Sequence, residues 1–362
     1  RASDGWVRIH ANFAHHRDGA LRLLGLDPAR ADRAVAEAAM RRWRSIDFET
    51  AAAEAGLVAT ALRSFGEWDA TPQAQAIAAQ PLFTVRRIGD APPRILPPLT
   101  AGARPLAGLR VLDLTRILAG PVGGKALATY GADVLLVNGP HLPNIAAIAD
   151  TSRGKRSTLL DLREAGGRAT LEHLLRDAHV FLHGYRPGGL AALGFGPERV
   201  ADLCPGIVQA SLTAYGTRGP WAGRRGFDSL VQTATGFNHA ETKAAGSATP
   251  RTLPVQIFDE ASGYLLALGC AAALVRQQQE GGSWHVQVSL AQTGHWLRGL
   301  GRIPDGFDGP PADEAALAPW LETSASGFGT LTAIRHSARW ERTPTRPLQT
   351  SMPPGSHPPA WW

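Results

Sequence analysis

The segment Ile257-Phe-Asp-Glu-Ala-Ser-Gly263 offers the sharpest chemistry in this chain of 362 residues. Asp259 follows an apolar, strand-like stretch and opens an alanine-rich helix. A carboxylate in that position can cap the helix by accepting from its first free N–H groups. The same carboxylate can attack a thioester, with the helix N–H groups stabilising the negative charge that develops. Both readings fit the residue.

Two basic segments suggest anion binding. Ser152-Arg-Gly-Lys-Arg-Ser157 sets three cations around a glycine ahead of the strand-like Thr158–Leu162. Such a turn lets backbone and side chains converge on one phosphate, and its plainer reading is a solvated basic loop. His183-Gly-Tyr-Arg-Pro-Gly188 follows directly on a strand ending at Leu182. The carboxyl ends of strands are where open α/β sheets bind ligands, so an aromatic ring and an arginine there could hold a nucleotide and its phosphates. Read alone, the segment is an ordinary Pro-Gly turn.

Ala119-Gly-Pro-Val-Gly-Gly124 reads as a turn whose glycines let N–H groups approach an anion at a helix N-terminus. It is not G-x-G-x-x-G, and Asn138 stands where a dinucleotide fold places an acid for the ribose. The chain has no G-x-x-x-x-G-K-[ST] stretch and no G-x-S-x-G elbow, which sets aside P-loop nucleotidases and α/β-hydrolases. His10, His15 and His16 match no standard metal-ligand spacing, so a solvated strand-to-helix corner is expected there and no metal site.

Composition narrows the setting. A chain of this length with 44% hydrophobic residues can bury one large core or two modest ones. Its two cysteines, Cys204 and Cys270, cannot build a disulfide framework or a cysteine-rich zinc site, and a reducing, cytoplasmic compartment is expected. No run of ~18 apolar residues and no basic-then-apolar leader is apparent, so neither a membrane span nor a signal peptide is expected. The net charge of +6 rests on arginine, since Lys125, Lys155 and Lys243 are the only lysines. Arginine suits bidentate contacts to phosphate or carboxylate, although base composition of the coding sequence explains the excess equally well.

The elements that must position these residues change character along the chain. Asp4–His10 alternates like a strand, and helical spacing follows from Asp18, over Asp47–Ala55 (capped by Ser45 or Asp47) and over Trp68–Gln80 (opened by Thr71-Pro72). Prolines then gather between Ala91 and Pro105. Beyond them come strand Leu109–Leu114, helix Lys125–Tyr130, strand Ala132–Val137, helix Glu164–Ala178, strand His179–Leu182, helix Pro197–Cys204, strand Ile207–Leu212, helix Ala261–Gln279 and strand Trp284–Leu290. This βα alternation predicts an α/β fold with a mostly parallel sheet. Thr330–Ile334 is strand-like, and a Pro-rich tail follows that should run extended over a surface. The expected division is a small α+β domain over 1–95, a linker over 96–106, a large Rossmann-like domain over 107–300 and a closing segment over 301–362.

Seven segments in order carry a family likeness. Pro105–Pro121, Tyr130–Val134, Arg153–Ser157, Tyr185-Arg-Pro-Gly188, Tyr215–Pro220, Gly226-Phe-Asp228 and Asp259-x-x-x-Gly263 together resemble the class III CoA-transferases (CaiB/BaiF type), the group of formyl-CoA transferase and carnitine CoA-transferase. The likeness covers about residues 104–298, the Rossmann-like large domain of that family. Residues 1–95 resemble the family's small domain, which usually follows the large-domain core, so the chain order looks permuted or left over from a tandem duplication.

The resemblance implies that Asp259 is the catalytic residue, forming a mixed anhydride with an acyl group and then an aspartyl-CoA thioester. It implies coenzyme A contacts at Ile117, Ala119, Leu162, Arg163, Gly184, Tyr185, Arg186 and Arg225. It further implies acyl-CoA and carboxylic-acid substrates, an interlocked homodimer, and neither nucleic-acid nor membrane partners. Leu118 replaces a glutamine of formyl-CoA transferase, the glycine-rich lid of that enzyme has no counterpart, and Asn138-Gly139-Pro140 lacks the family's acid-then-arginine pattern. Related α-methylacyl-CoA racemases use a histidine where Phe227 stands, and phenylalanine cannot transfer a proton. That leaves CoA transfer ahead of a racemase or a non-catalytic CoA-binding protein of the same fold.

Overall fold

The computed structural model describes residues 1–96, 98–303, 306, 313–338 and 340–362. Pro97 of the expected linker, and residues 304–305, 307–312 and 339 of the expected closing segment, lie outside the described residues. Two compact units form, and both are discontinuous in sequence. One gathers Arg1–Leu82, Thr213–Phe258 and the segment from Ser289; the other gathers Phe83–Leu212, Asp259–Val288 and the C-terminal segment to Trp362.

The first unit is mainly helical. Strands β1 (Val7–Ile9) and β2 (Ala59–Ala61) pair antiparallel, and the helix Ser45–Glu54 brings Phe48 and Ala52 onto a core with Ala2 and Met40. The helix expected over Trp68–Gln80 is two short ones, Phe65–Asp69 and Pro72–Ala78, the second opened by the Thr71 hydroxyl accepting from the Ala74 N–H at 3.1 Å. Neither Ser45 nor Asp47 caps the helix Ser45–Glu54: the Asp4 carboxylate, forty-one residues away, accepts from the Ser45 N–H at 2.8 Å.

The second unit is an α/β layer structure. Its strands are β3 (Thr84–Gly89), β4 (Arg110–Leu114), β5 (Asp133–Asn138), β6 (Lys155–Leu159), β7 (Val180–His183), β8 (Val208–Thr213) and β9 (Ser283–Ser289), in the order β3-β9-β8-β7-β4-β5-β6. The pairs β4/β5, β5/β6, β4/β7 and β7/β8 are parallel, and β3 joins β9 antiparallel. The mostly parallel α/β sheet matches the sequence expectation. Strand β3, which precedes the prolines, belongs to this sheet. Pleat alternation sends Val111, Val134, Leu182 and Ala210 to one face and Leu112, Leu135 and Phe181 to the other. The first face is covered by helices Ala119–Thr129 and Ile257–Glu280, the second by Ala165–Arg176 and Pro197–Leu203. Each fully buried Val or Leu in these layers contributes about 1.5–3 kcal/mol.

The helix Ile257–Glu280 has no unbroken run of 18 apolar residues, yet by length and mean composition it could cross a membrane. Leu266, Cys270, Ala273 and Leu274 put one face of it on the sheet, which is what a core helix does. A hairpin of β10 (Leu321–Ser326) and β11 (Gly329–Ile334) follows, of which only the second strand was expected. The tail then runs along the free edge of β6, where Ser157 and His357 exchange bonds and the Trp361 indole donates to Leu174 O at 3.0 Å. An edge strand is thereby covered.

Candidate active site

In the second unit, β4 lies between β5 and β7. The chain winds from β4 through β5 and β6 to one side and continues through β7 and β8 on the other. Loops leaving the carboxyl ends of β4 and β7 therefore part in opposite directions, and the crevice between them is where such sheets take nucleotides. Leu114 of β4 and His183 of β7 are register partners at that edge. Ile117 and Ala119 follow the first strand, and Gly184, Tyr185 and Arg186 follow the second. Sequence placed all five in the site, and the sheet topology brings them to one end of two adjacent strands.

The loop between β4 and the following helix is strained. Ile117 has φ of 74°, and among the described residues it is the only one besides glycine in the left-handed region. A β-branched residue there costs about 1–3 kcal/mol, which the surrounding packing must hold. Arg116, beside it, was missed in the sequence reading. Its Nε is buried without a hydrogen-bond partner, while its guanidinium donates to Pro143 O. Burial lowers the Arg116 pKa, and the Tyr185 phenol opposes that shift; burial raises the Tyr185 pKa, and Arg116 opposes it. The only available signal was its place just past the carboxyl end of a strand.

Asp259 lies within the first turn of the helix Ile257–Glu280 rather than ahead of it. The strand expected before it is absent, and the helix begins two residues earlier, so the N-cap reading gives way to a carboxylate held near the positive end of a long helix. Glu260 is its neighbour in that turn, and burial raises its carboxyl pKa. One turn further on, Gly263 touches the helix Ala119–Thr129: a Cβ there would sit 2.6 Å from Ala119 O and from Val122 Cβ. Gly123 reciprocates, with a Cβ position 2.9 Å from Gly263 O. The backbones of the two helices are in contact, and the early turns of both lie side by side.

The turn expected over Ala119–Gly124 is therefore helix. Gly124 makes room for a buried ion pair: a Cβ there would lie 2.1 Å from Asp113 Oδ2 and 2.8 Å from Lys155 Nζ. Lys155 is fully buried and donates to Asp113 Oδ2 and Pro121 O, each at 2.8 Å. Asp113 Oδ1 accepts from the Thr115 N–H at 2.9 Å and from its hydroxyl at 2.5 Å. Burial lowers the Lys155 pKa, and Asp113 holds it back. This pair ties β4 and β6 to the start of the Ala119–Thr129 helix.

The basic turn is thus corrected. Lys155 and Arg156 are in strand β6, Arg156 forks onto Asp133 at 2.8–3.0 Å, and Arg153 pairs with Asp150 and Glu322 at 2.6 Å. Their charges are met inside the protein, so the segment is neither a phosphate loop nor a solvated one. Of the contacts expected beyond it, Leu162 has its side chain in the core. Arg163 is exposed and bonded to Asp161, whose carboxyl that bond lowers to about 2. Asn138, at the carboxyl end of β5, is 1% exposed with both amide atoms unpartnered.

Arg225 is exposed and belongs to the first unit, as does Phe227. There His10 stacks on Phe227 with ring centroids 3.7 Å apart, and the Nδ1 atoms of His10 and His16 are 3.2 Å apart. Burial lowers both imidazoles to about 4. His10 and His16 are buried, so the solvated corner expected there is instead a packed aromatic cluster, with only His15 exposed. Among the described residues, no group of three His, Cys, Asp or Glu side chains could hold a metal ion.

These features make a doubly wound α/β sheet with a strained loop at its switch point and two glycine-packed helices beside it. Residues 106–300, more than half of the chain, match CoA-transferase family III, and the chain belongs to that family. The chain is 34% identical over 207 residues to a probable fatty acyl-CoA transferase, Rv3272, of Mycobacterium tuberculosis, covering 53% of this chain and 52% of that protein. It is 33% identical over 205 residues to a succinate–glutarate CoA-transferase of Agrobacterium fabrum, covering 51% of each. The chain thus spans about half the length of these curated relatives. A crystal structure of Rv3272 from M. tuberculosis superposes with a TM-score of 0.61 at 24% identity, covering 70% of this chain and 98% of that one, which establishes the shared fold.

Proposed function

We propose that this protein takes part in CoA transfer between organic-acid carboxylates, with Asp259 as nucleophile. The observation that carries the reading is the Gly123–Gly263 crossing, which sets the first turn of the Asp259 helix against the first turns of the helix that leaves the switch point. The Asp259 carboxylate attacks the acyl-CoA carbonyl, the C–S bond breaks, and a mixed anhydride and CoA thiolate result. The thiolate attacks the aspartyl carbonyl of the anhydride, releasing the first carboxylate and leaving an aspartyl-CoA thioester. An acceptor carboxylate repeats the two steps in reverse order and leaves with CoA, regenerating Asp259. N–H groups in the first turns of the helices would stabilise the negative charge that develops on the carbonyl oxygens.

Coenzyme A is held, in this reading, by Ile117, Ala119, Leu162, Arg163, Gly184, Tyr185 and Arg186 of the second unit, to which Arg116 is added; the contact at Arg225, in the first unit, rests on the family resemblance alone. Exposed Arg186 suits a phosphate group, and the position of a Cβ at Gly184 is open, so the backbone can approach the ligand. The buried, unpartnered Nε of Arg116 provides a further donor. A homodimer, a cytoplasmic setting and a chain order rearranged relative to the family belong to the same proposal.

The test is incubation with a panel of acyl-CoA thioesters followed by mass spectrometry for CoA or hydroxylamine adducts on the Asp259 peptide. An adduct that disappears in Asp259→Ala is expected. Absence of an adduct with every thioester, together with unchanged CoA binding in the variant, would remove Asp259 from the chemistry. Proton exchange into a 2-methylacyl-CoA in heavy water, without acyl transfer, would favour a racemase, against which Phe227 argues.

A further inference from the structure

A cavity of about 730 Å³ opens where the β10–β11 hairpin meets the tail segment Thr345–Ser351, and Arg153 is part of its lining. Arg153 lies two residues before β6, so the cavity is at the amino end of that strand, whereas the candidate active site is at the carboxyl ends of β4 and β7. Its charges are unequal. Arg153 and Glu322 neutralise each other at 2.6 Å, but Arg335 and Arg346 remain. Arg335 uses Nε to bond Leu321 O at 2.9 Å and has no ion-pair partner among the described residues. Arg346, from the tail, is exposed and has no hydrogen-bond or ion-pair partner among them. Ser351 also lines the cavity, is 1% exposed, and has a buried hydroxyl without a partner.

We propose that this cavity is a second ligand site, binding a small dianion held between Arg335 and Arg346, with the Ser351 hydroxyl as a third donor. A buried hydroxyl left unpaired costs about 1–3 kcal/mol, which an oxyanion would recover. Two arginines in the lining favour a ligand with two charged oxygens or two charged ends over a monoanion. Thr323, Ser324 and Thr345 make much of the remaining lining hydroxylic, which suits a carboxylate or phosphate and not an acyl chain. A dicarboxylate and a phosphate share this chemistry, and titration separates them.

The experiment is calorimetric titration of the full chain with succinate, inorganic phosphate and acetate, repeated on Arg346→Gln, Arg335→Gln and Ser351→Ala. Saturable binding of succinate or phosphate, whichever dianion the spacing fits, is expected to exceed that of acetate. Arg346→Gln, an exposed change that leaves the fold intact by circular dichroism, is expected to weaken it about tenfold or more, the equivalent of one charge-assisted bond. CoA binding is expected to be unchanged in all three variants, which separates this site from the proposed active site. Binding of neither dianion at millimolar concentration, or equal binding by the parent and Arg346→Gln, would overturn the proposal.

Discussion

Gly123 and Gly263 face each other across two helices whose backbones touch, and neither position can accept a methyl group. The Cβ of an alanine at 263 would sit 2.6 Å from Ala119 O and from Val122 Cβ. Relief requires the helices to part, moving the first turn that holds Asp259 away from the loop that follows β4. Gly263→Ala is expected to destabilise the protein by about 1–3 kcal/mol, the range for overpacking. It should also abolish the Asp259 adduct at temperatures where the protein is still folded. Urea titration and adduct yield on the same sample check both effects.

Beneath that crossing, the Asp113–Lys155 pair is wholly buried. Lys155→Met removes one partner and strands the carboxylate, a change expected to cost about 3–5 kcal/mol. Replacing both residues, Asp113→Leu with Lys155→Met, should recover most of the loss, since a buried pair gains little net energy over apolar side chains. Thermal unfolding of the single and double variants gives the comparison.

The contrast between these two features marks how far the sequence is legible. Strands β4, β5, β7 and β8 are short apolar runs bounded by turns, and they appear where the pattern puts them. The glycines of Ala119–Gly124 disfavour helix on their own, so only the facing groups, Thr115, Asp113, Lys155 and Gly263, explain why they are helical. Arg153, Lys155 and Arg156 look like an anion site because their acids are distant in sequence or lie in another element: Asp113, Asp133 and Glu322. Strand β10, Leu-Glu-Thr-Ser-Ala-Ser, has no apolar alternation and is defined only by its partner β11. Residue type and spacing single out Asp259, but its place inside the helix, which weakens the capping explanation, is visible only in the fold.

Buried histidines predict how stability follows pH. His183 is held at about 3 by burial and by His285, and His285 at about 4 by burial and Arg86. Both folded-state values lie below the ordinary 6.5, so the unfolded chain takes up protons first as pH falls. Their stabilising effect is complete above pH 6.5 and is lost progressively down to about 3–4. His10 and His16 act in the same direction. The urea midpoint should therefore fall between pH 7 and pH 5, and His285→Gln should flatten that slope. A midpoint that rises on acidification would contradict the burial of these rings.

The C-terminal tail covers the free edge of β6 through the Ser157–His357 exchange and the Trp361 bond to Leu174 O. Removing residues 357–362 uncovers Ser157 N–H and C=O groups along an edge strand and strips Trp361 from the layer beside Leu174. Exposed edges pair with other chains. The truncated protein is expected to self-associate with rising concentration, as measured by light scattering, while the full chain does not change mass over the same range.

Ile117 joins the fold to the proposed chemistry most directly. Its φ of 74° is a conformation glycine adopts freely, and isoleucine adopts it at a cost of about 1–2 kcal/mol. Replacing a half-buried isoleucine by glycine would ordinarily lose about 2 kcal/mol of packing and chain rigidity. Here relief of strain offsets that loss, and Ile117→Gly is expected to unfold within about 1 kcal/mol of the parent. The loop nevertheless loses the side chain that fixes its shape next to Arg116, so CoA affinity should fall while stability holds. Calorimetric CoA titration set beside a urea curve separates the two, and a variant that loses stability with unchanged affinity would show that the strained conformation serves packing alone.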